Sequence, residues 1–168
     1  NTTGANNVAV GASALDANTT GANNVAMGYN ALGANTTATG NVAIGHDALA
    51  ANTTGANNVA IGYVALDANT TGANNTALGN QALSTCISSP SNTAVGNFAG
   101  YNVTTGNGEN VFLGNRAGFG VTTGQQGIFI GDNTAAGGIH TGSNNVIIGD
   151  NAGYNITTGA NNVAVGIV

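Results

Sequence analysis

Asn6-Asn7-Val8-Ala9-Val10-Gly11 returns, altered but recognisable, through the whole chain. Its apolar run and closing glycine recur as Val25-Ala26-Met27-Gly28, Val42-Ala43-Ile44-Gly45, Val59-Ala60-Ile61-Gly62, Thr76-Ala77-Leu78-Gly79 and Thr93-Ala94-Val95-Gly96. They continue as Val111-Phe112-Leu113-Gly114, Ile128-Phe129-Ile130-Gly131, Val146-Ile147-Ile148-Gly149 and Val163-Ala164-Val165-Gly166. The glycines are spaced 17, 17, 17, 17, 17, 18, 17, 18 and 17 residues apart. A corner absorbs one-residue insertions; a helical repeat does not. Helix–turn–helix repeats need roughly 30 residues or more, so this period suits one turn of a β-solenoid.

The fold expected is therefore all-β: a parallel β-solenoid, or β-roll, of about ten coils of 17–18 residues. Within the first unit, residues 6–10 predict a strand and Gly11 a tight corner. Residues 12–15 predict a second, shorter strand. A wider corner rich in turn-forming residues leads to Gly4 and its equivalents. Coils stacked at ~4.8 Å would rise roughly 45 Å in all. Val8, Val25, Val42 and Val59 would form one ladder and Val10, Met27, Ile44, Ile61 and Leu78 another. Ala14, Ala31, Ala48, Ala65 and Ala82 would stack beside Leu15, Leu32, Leu49, Leu66 and Leu83.

Side chains alternate across a strand. With Val8 and Val10 filling the coil, the opposite face would carry Ala9, Ala26, Ala43, Ala60, Ala77, Ala94, Phe112, Phe129, Ile147 and Ala164. A strand apolar on both faces is expected to be buried on both. That face is expected to be the interface of a homo-oligomer.

Composition narrows the function. Only 4% of the residues are charged, Arg116 is the sole basic one, and the net charge is −5. Nucleic acid demands many phosphate-neutralising cations and anionic lipid demands a basic patch, so neither is an expected partner. No apolar run approaches the ~20 residues of a membrane span. The chain is too apolar, at 42%, and too regular for disorder. It begins and ends in mid-pattern, as a piece of a longer array or a processed product would. Cys86 stands alone, which excludes an intrachain disulfide framework and suggests an inert side chain in a loop.

The array is expected to form one domain, 1–168, with Leu-type coils over 1–85 and Gly-aromatic coils over 92–168. A variant corner over 86–91 joins them, where Pro90 offers no N–H and predicts an outward loop. In the second half Leu gives way to Gly followed by an aromatic, as in Ala99-Gly100-Tyr101, Ala117-Gly118-Phe119 and Ala152-Gly153-Tyr154. The aromatic is expected to cover the space Leu vacates. The unit with Thr134-Ala135-Ala136 has neither and should pack worst.

The Asn-Asn-Val-Ala-Val/Met/Ile-Gly blocks, in register over nearly all 168 residues, resemble the head repeats of trimeric autotransporter (YadA-like) adhesins. They are also similar to repeat arrays of phage and bacterial tail fibres, which share stretches like Gly28 to Leu32. The resemblance implies a left-handed β-roll, three chains around one axis, and a role in attachment or spacing. It departs in period, since the adhesin heads favour shorter units.

Sites are few. Asn-X-Thr sequons occur at Asn1, Asn18, Asn35, Asn52, Asn69, Asn74, Asn102 and Asn155. The first five are expected along one exposed corner, where hydrogen-bonded turns and ladders explain them without sugar. Paired threonines such as Thr2-Thr3 raise an ice-binding array, but adjacent residues point opposite ways. Asp132 and Asp150 would stack about 5 Å apart, the separation of a retaining glycosidase's carboxylates, yet stacking alone produces that gap. His46 and His140 lie in unrelated coils, and Arg116 could pair with Glu109. No catalytic, cofactor or metal site is expected. The chain reads as a structural segment of an extracellular fibre or adhesin, not an enzyme. Competing readings are a module gripping a cell-surface glycan or receptor, an end-to-end filament, a tailspike glycanase and an ice-binding protein.

Overall fold

The computed structural model describes residues 2–167. Ten three-residue strands run through it: β1 (Val8–Val10), β2 (Val25–Met27), β3 (Val42–Ile44), β4 (Val59–Ile61) and β5 (Thr76–Leu78), then β6 (Thr93–Val95), β7 (Val111–Leu113), β8 (Ile128–Ile130), β9 (Val146–Ile148) and β10 (Val163–Val165). They form one parallel sheet in chain order. Every pair is in the register the repeat dictates, with Val8 beside Val25, Ala43 beside Ala60 and Ala94 beside Phe112. The chain is a β-solenoid.

The strand orientation is the reverse of that expected. Ala26, Ala43, Ala60, Ala77, Ala94, Phe112 and Ile147 are wholly buried inside the coil, and Phe129 nearly so. In the outermost coils Ala9 is exposed and Ala164 half-buried. These ten positions are thus an interior ladder and not an interface. The valines and isoleucines on either side point outward. The reason is volume: Leu32, Leu49, Leu66 and Leu83 already occupy the interior with the alanines beside them. No room is left for two rows of branched side chains.

The second limb is not a strand. It contains residues with positive φ two apart, such as Asn30 (53°) and Leu32 (52°), or Val64 (55°) and Leu66 (53°). This lets neighbouring residues Ala31 and Leu32 both turn inward, which strand alternation forbids. Backbone bonds still knit the limb to both adjacent coils: Asn30 N–H donates to Ala12 O at 2.9 Å, and Leu32 N–H to Ala48 O at 3.0 Å. Left-handed backbone costs an L-residue roughly 1–2 kcal/mol, and only Gly, Asn and Asp visit it readily. Val64 is the β-branched exception among Asn30, Asp47, Asn133 and Asn151. Val64→Asn is therefore expected to stabilise the chain by about 1 kcal/mol. Thermal melting checks it, with a rise of about 2–4 °C expected.

Two columns of asparagine fill the rest of the interior. Asn24, Asn41, Asn58, Asn75 and Asn92 are wholly buried. Each carbonyl oxygen accepts the backbone N–H of its equivalent one coil on: Asn41 from Asn58 at 2.8 Å, and Asn58 from Asn75 at 2.9 Å. Each Nδ2 donates to a corner carbonyl, as Asn58 does to Gly72 at 2.9 Å. The second column is Asn18, Asn35, Asn52 and Asn69, in which each amide donates to the one below. It ends at Cys86, which cannot take over, so Asn69 Oδ1 is left without a partner. Cys86 Sγ instead donates to Ser89 O, and burial pushes its thiol up to about 12. The corner around Pro90 is not the outward loop expected: Cys86 and Ser89 are buried, and Thr70 N–H still donates to Ile87 O at 2.8 Å.

In the second half it is the strand, not the aromatic after Gly, that fills the leucine space. A Cβ on Gly118 would lie 2.1 Å from Phe112 Cδ1, and one on Gly153 2.7 Å from Ile147 Cδ1. Leu on the limb and Ala on the strand have become Gly on the limb and Phe or Ile on the strand. Tyr101 and Phe119 are only half-buried. The coil of Thr134 holds two buried polar atoms without partners, Thr134 Oγ1 and His140 Nε2.

Burial of His140 lowers its proton affinity. The unfolded chain then binds the proton more readily, so stability falls as pH drops through the ordinary histidine range near ~6.5. His140→Val, which matches Val121 one coil back, should lose this sensitivity. Its melting advantage over the parent is expected to widen by about 2–4 °C between roughly pH 7.5 and 5.5. A constant gap would refute the assignment.

Candidate functional site

Three surfaces of the coil bear on function. The first is the outer face of the sheet. Its two rows are the first and third residues of every strand, apolar throughout except for Thr76 and Thr93. Val10 is 54% exposed, Leu78 43% and Leu113 45%. Exposed apolar faces of this length are uncommon on chains that stay alone in water. Most of its side chains are β-branched and stiff, with Met27, Leu78 and Leu113 the exceptions, so ordering them on contact costs little entropy.

The second surface is a ring column. Tyr29, His46 and Tyr63 occupy one position in successive coils, with centroids 4.9 and 5.4 Å apart. His46 Nδ1 meets Asp47 Oδ2 at 2.8 Å. The rings are tilted to one another by 32° and 34°, and both tyrosines stay exposed.

The third lies where the array changes type. Phe98 stands edge-on to Tyr101 and to Phe119, at 5.5 and 6.3 Å between centroids. Tyr101 and Phe119 stack at 5.3 Å, and the Arg116 guanidinium sits 4.5 Å from the centre of the Phe119 ring. A cleft of about 260 Å³ is lined by Phe98, Arg116 and Phe119. Phe98 and Arg116 hold the positive-φ position that Asn30 and Asp47 hold elsewhere. An aromatic and a cation at a position held elsewhere by Asn and Asp are the signal visible in the sequence.

The sequons divide. Asn18, Asn35, Asn52 and Asn69 are buried in the amide column, not displayed on an exposed corner, and a glycan on them is incompatible with the folded coil. Asn74 and Asn155 are exposed, and Asn102 is half-buried with its Nδ2 donating to Phe119 O. Asn1 lies outside the described residues. The outer threonines Thr20, Thr37 and Thr54 form a single exposed row, while Thr19 and Thr53 turn their hydroxyls to the next coil.

Asp132 accepts from Asn115 at 2.6 Å and from Asn133 at 3.1 Å, and Asp150 accepts from Asn151 at 3.1 Å. Both carboxylates are exposed corner groups engaged with amides. Glu109 accepts from Gln126 rather than pairing with Arg116. Among the described residues no carboxylate pairs with Arg116, and no three His, Cys, Asp or Glu side chains converge as metal ligands would. No helix among them is long and apolar enough to cross a membrane.

No family model matches the chain, and no curated protein or solved structure matches it.

Proposed function

We propose that this chain is a structural segment of an extracellular fibre or adhesin, a stiff rod that associates side by side with copies of itself. The observation that carries the reading is the outward face of β1–β10, two apolar rows running the length of the sheet. It is the surface water least favours, and its twin on a second chain is the simplest cover. The interior offers no comparable surface, since alanines, leucines and stacked amides fill it. Three chains and a left-handed coil belong to this proposal through the resemblance to adhesin heads. The near absence of charge and of convergent reactive groups fits a mechanical role over catalysis.

The test is the mass of the assembly. Sedimentation of the parent chain should give an oligomer, a trimer on this proposal. Ile44→Asp with Ile61→Asp, both on the outer face, should give monomers that keep the β spectrum. A parent that sediments as a monomer at all accessible concentrations would defeat the reading.

A further inference from the structure

We propose that the cleft between Phe98, Arg116 and Phe119 binds a carboxylate-bearing pyranose, a hexuronate unit of an acidic polysaccharide. The first ground is charge. The chain carries −5 overall, and Arg116 is its one basic side chain. It sits against a ring, and among the described residues no carboxylate is ion-paired with it, leaving its planar fork of donors free for an external carboxylate. The negative chain as a whole repels a dense polyanion. A hexuronate spaced along its polymer by neutral sugars brings a single carboxylate to Arg116 and incurs less of that repulsion.

The second ground is the shape and chemistry of the wall. The apolar C–H face of a pyranose matches an aromatic ring; Phe98 and Phe119 line the cleft, and because Tyr101 stacks on Phe119 and the Arg116 guanidinium lies over its ring, Phe98 is the ring that meets the sugar. Phe119 is braced by Tyr101, so the wall is held before a ligand arrives, which lowers the ordering cost of binding. The neighbouring amides suit hydroxyls. Asn97 donates to Asn115, and Asn115 to Asp132. Both asparagines are exposed, and each amide keeps a second N–H for a sugar oxygen. An acidic peptide fits less well: β6 and β7 are hydrogen-bonded on both sides, so no open strand edge lies alongside for its backbone to join.

The chain's single arginine makes Arg116 Nε–H a resonance of its own kind, and titration by NMR follows it directly. Methyl β-D-glucuronide should shift it saturably. Methyl β-D-glucoside, which lacks only the carboxylate, should bind at least tenfold more weakly, and so should N-acetylglutamate, which lacks the ring. Arg116→Gln and Phe98→Ala should each weaken the glucuronide at least tenfold, read from the Phe119 ring protons, while the Tyr29 and Tyr63 rings stay unmoved. Arg116 is exposed, so its variant keeps the β spectrum. The inference is overturned by no saturable shift with the glucuronide, by an equal response to the glucoside or to N-acetylglutamate, or by undiminished binding in Arg116→Gln. It stands apart from the assembly proposal: an oligomer that ignores the glucuronide defeats only the cleft, and a monomer that binds it defeats only the assembly.

Discussion

Gly62→Ala is expected to split the solenoid at its fourth coil. The added Cβ would lie 2.3 Å from the carbonyl oxygen of Gly79 and 2.6 Å from its carbonyl carbon. Those are backbone atoms of the next coil, so no rotamer change relieves the contact. The coils cannot part either, because Val59 N–H to Asn75 O and Gly79 N–H to Ile61 O, both 2.8 Å, hold them together. The φ of 142° adds a conformation that alanine avoids. Together these put the cost above about 4 kcal/mol, in the exceptional range for a single substitution. Calorimetry should show the single transition replaced by two weaker ones, and protease should cut between the halves. A melting point within about 2 °C of the parent would refute it.

Asn58→Leu should do nearly as much damage through the interior. Leucine keeps the branched shape of asparagine but is bulkier, so overpacking adds to the loss of hydrogen bonding. Asn58 Oδ1 accepts the Asn75 N–H and its Nδ2 donates to Gly72 O. Both partners lie inside a chain where water cannot replace the lost group. Each orphaned buried group costs about 1–3 kcal/mol, giving about 2–6 kcal/mol in all. A urea midpoint lowered accordingly is the readout. Asn57→Gly is the control: Asn57 is exposed with φ 58°, a conformation glycine takes freely, and it should stay within about 0.5 kcal/mol.

Spacing alone revealed the solenoid, its parallel register and its coil length, because a ladder fold writes its period into the chain one turn at a time. Which way the strand faced was not so legible. Alternation says that Val8 and Ala9 differ in direction but not which is inside; that depends on what the opposite limb brings, here Leu15. The clue was the adjacent pair Ala14-Leu15, two apolar neighbours that no extended strand can bury together. The asparagines misled for a related reason. Asn in a Thr-Thr-Gly corner resembles an exposed turn, and only stacking shows that each amide finds its partners in the coils above and below. Phe112 with Gly118 was visible as two separate anomalies, and their exchange of volume needed coordinates. The Arg116 cleft was hidden because its members come from two coils and mean nothing singly.

The amide columns also give the rod a direction in time. Asn24 Oδ1 is in place before Asn41 arrives to donate to it, and the same holds as far as Gly127, which donates to Asn110 Oδ1 but has no side chain to accept from Asn145; the column resumes between Asn145 and Asn162. A newly made stretch of about 17 residues thus docks on a finished template and then becomes the template for its successor. Winding of this kind needs no distant part of the chain to be present. It can keep pace with a polypeptide delivered end first, from a ribosome or through a narrow pore.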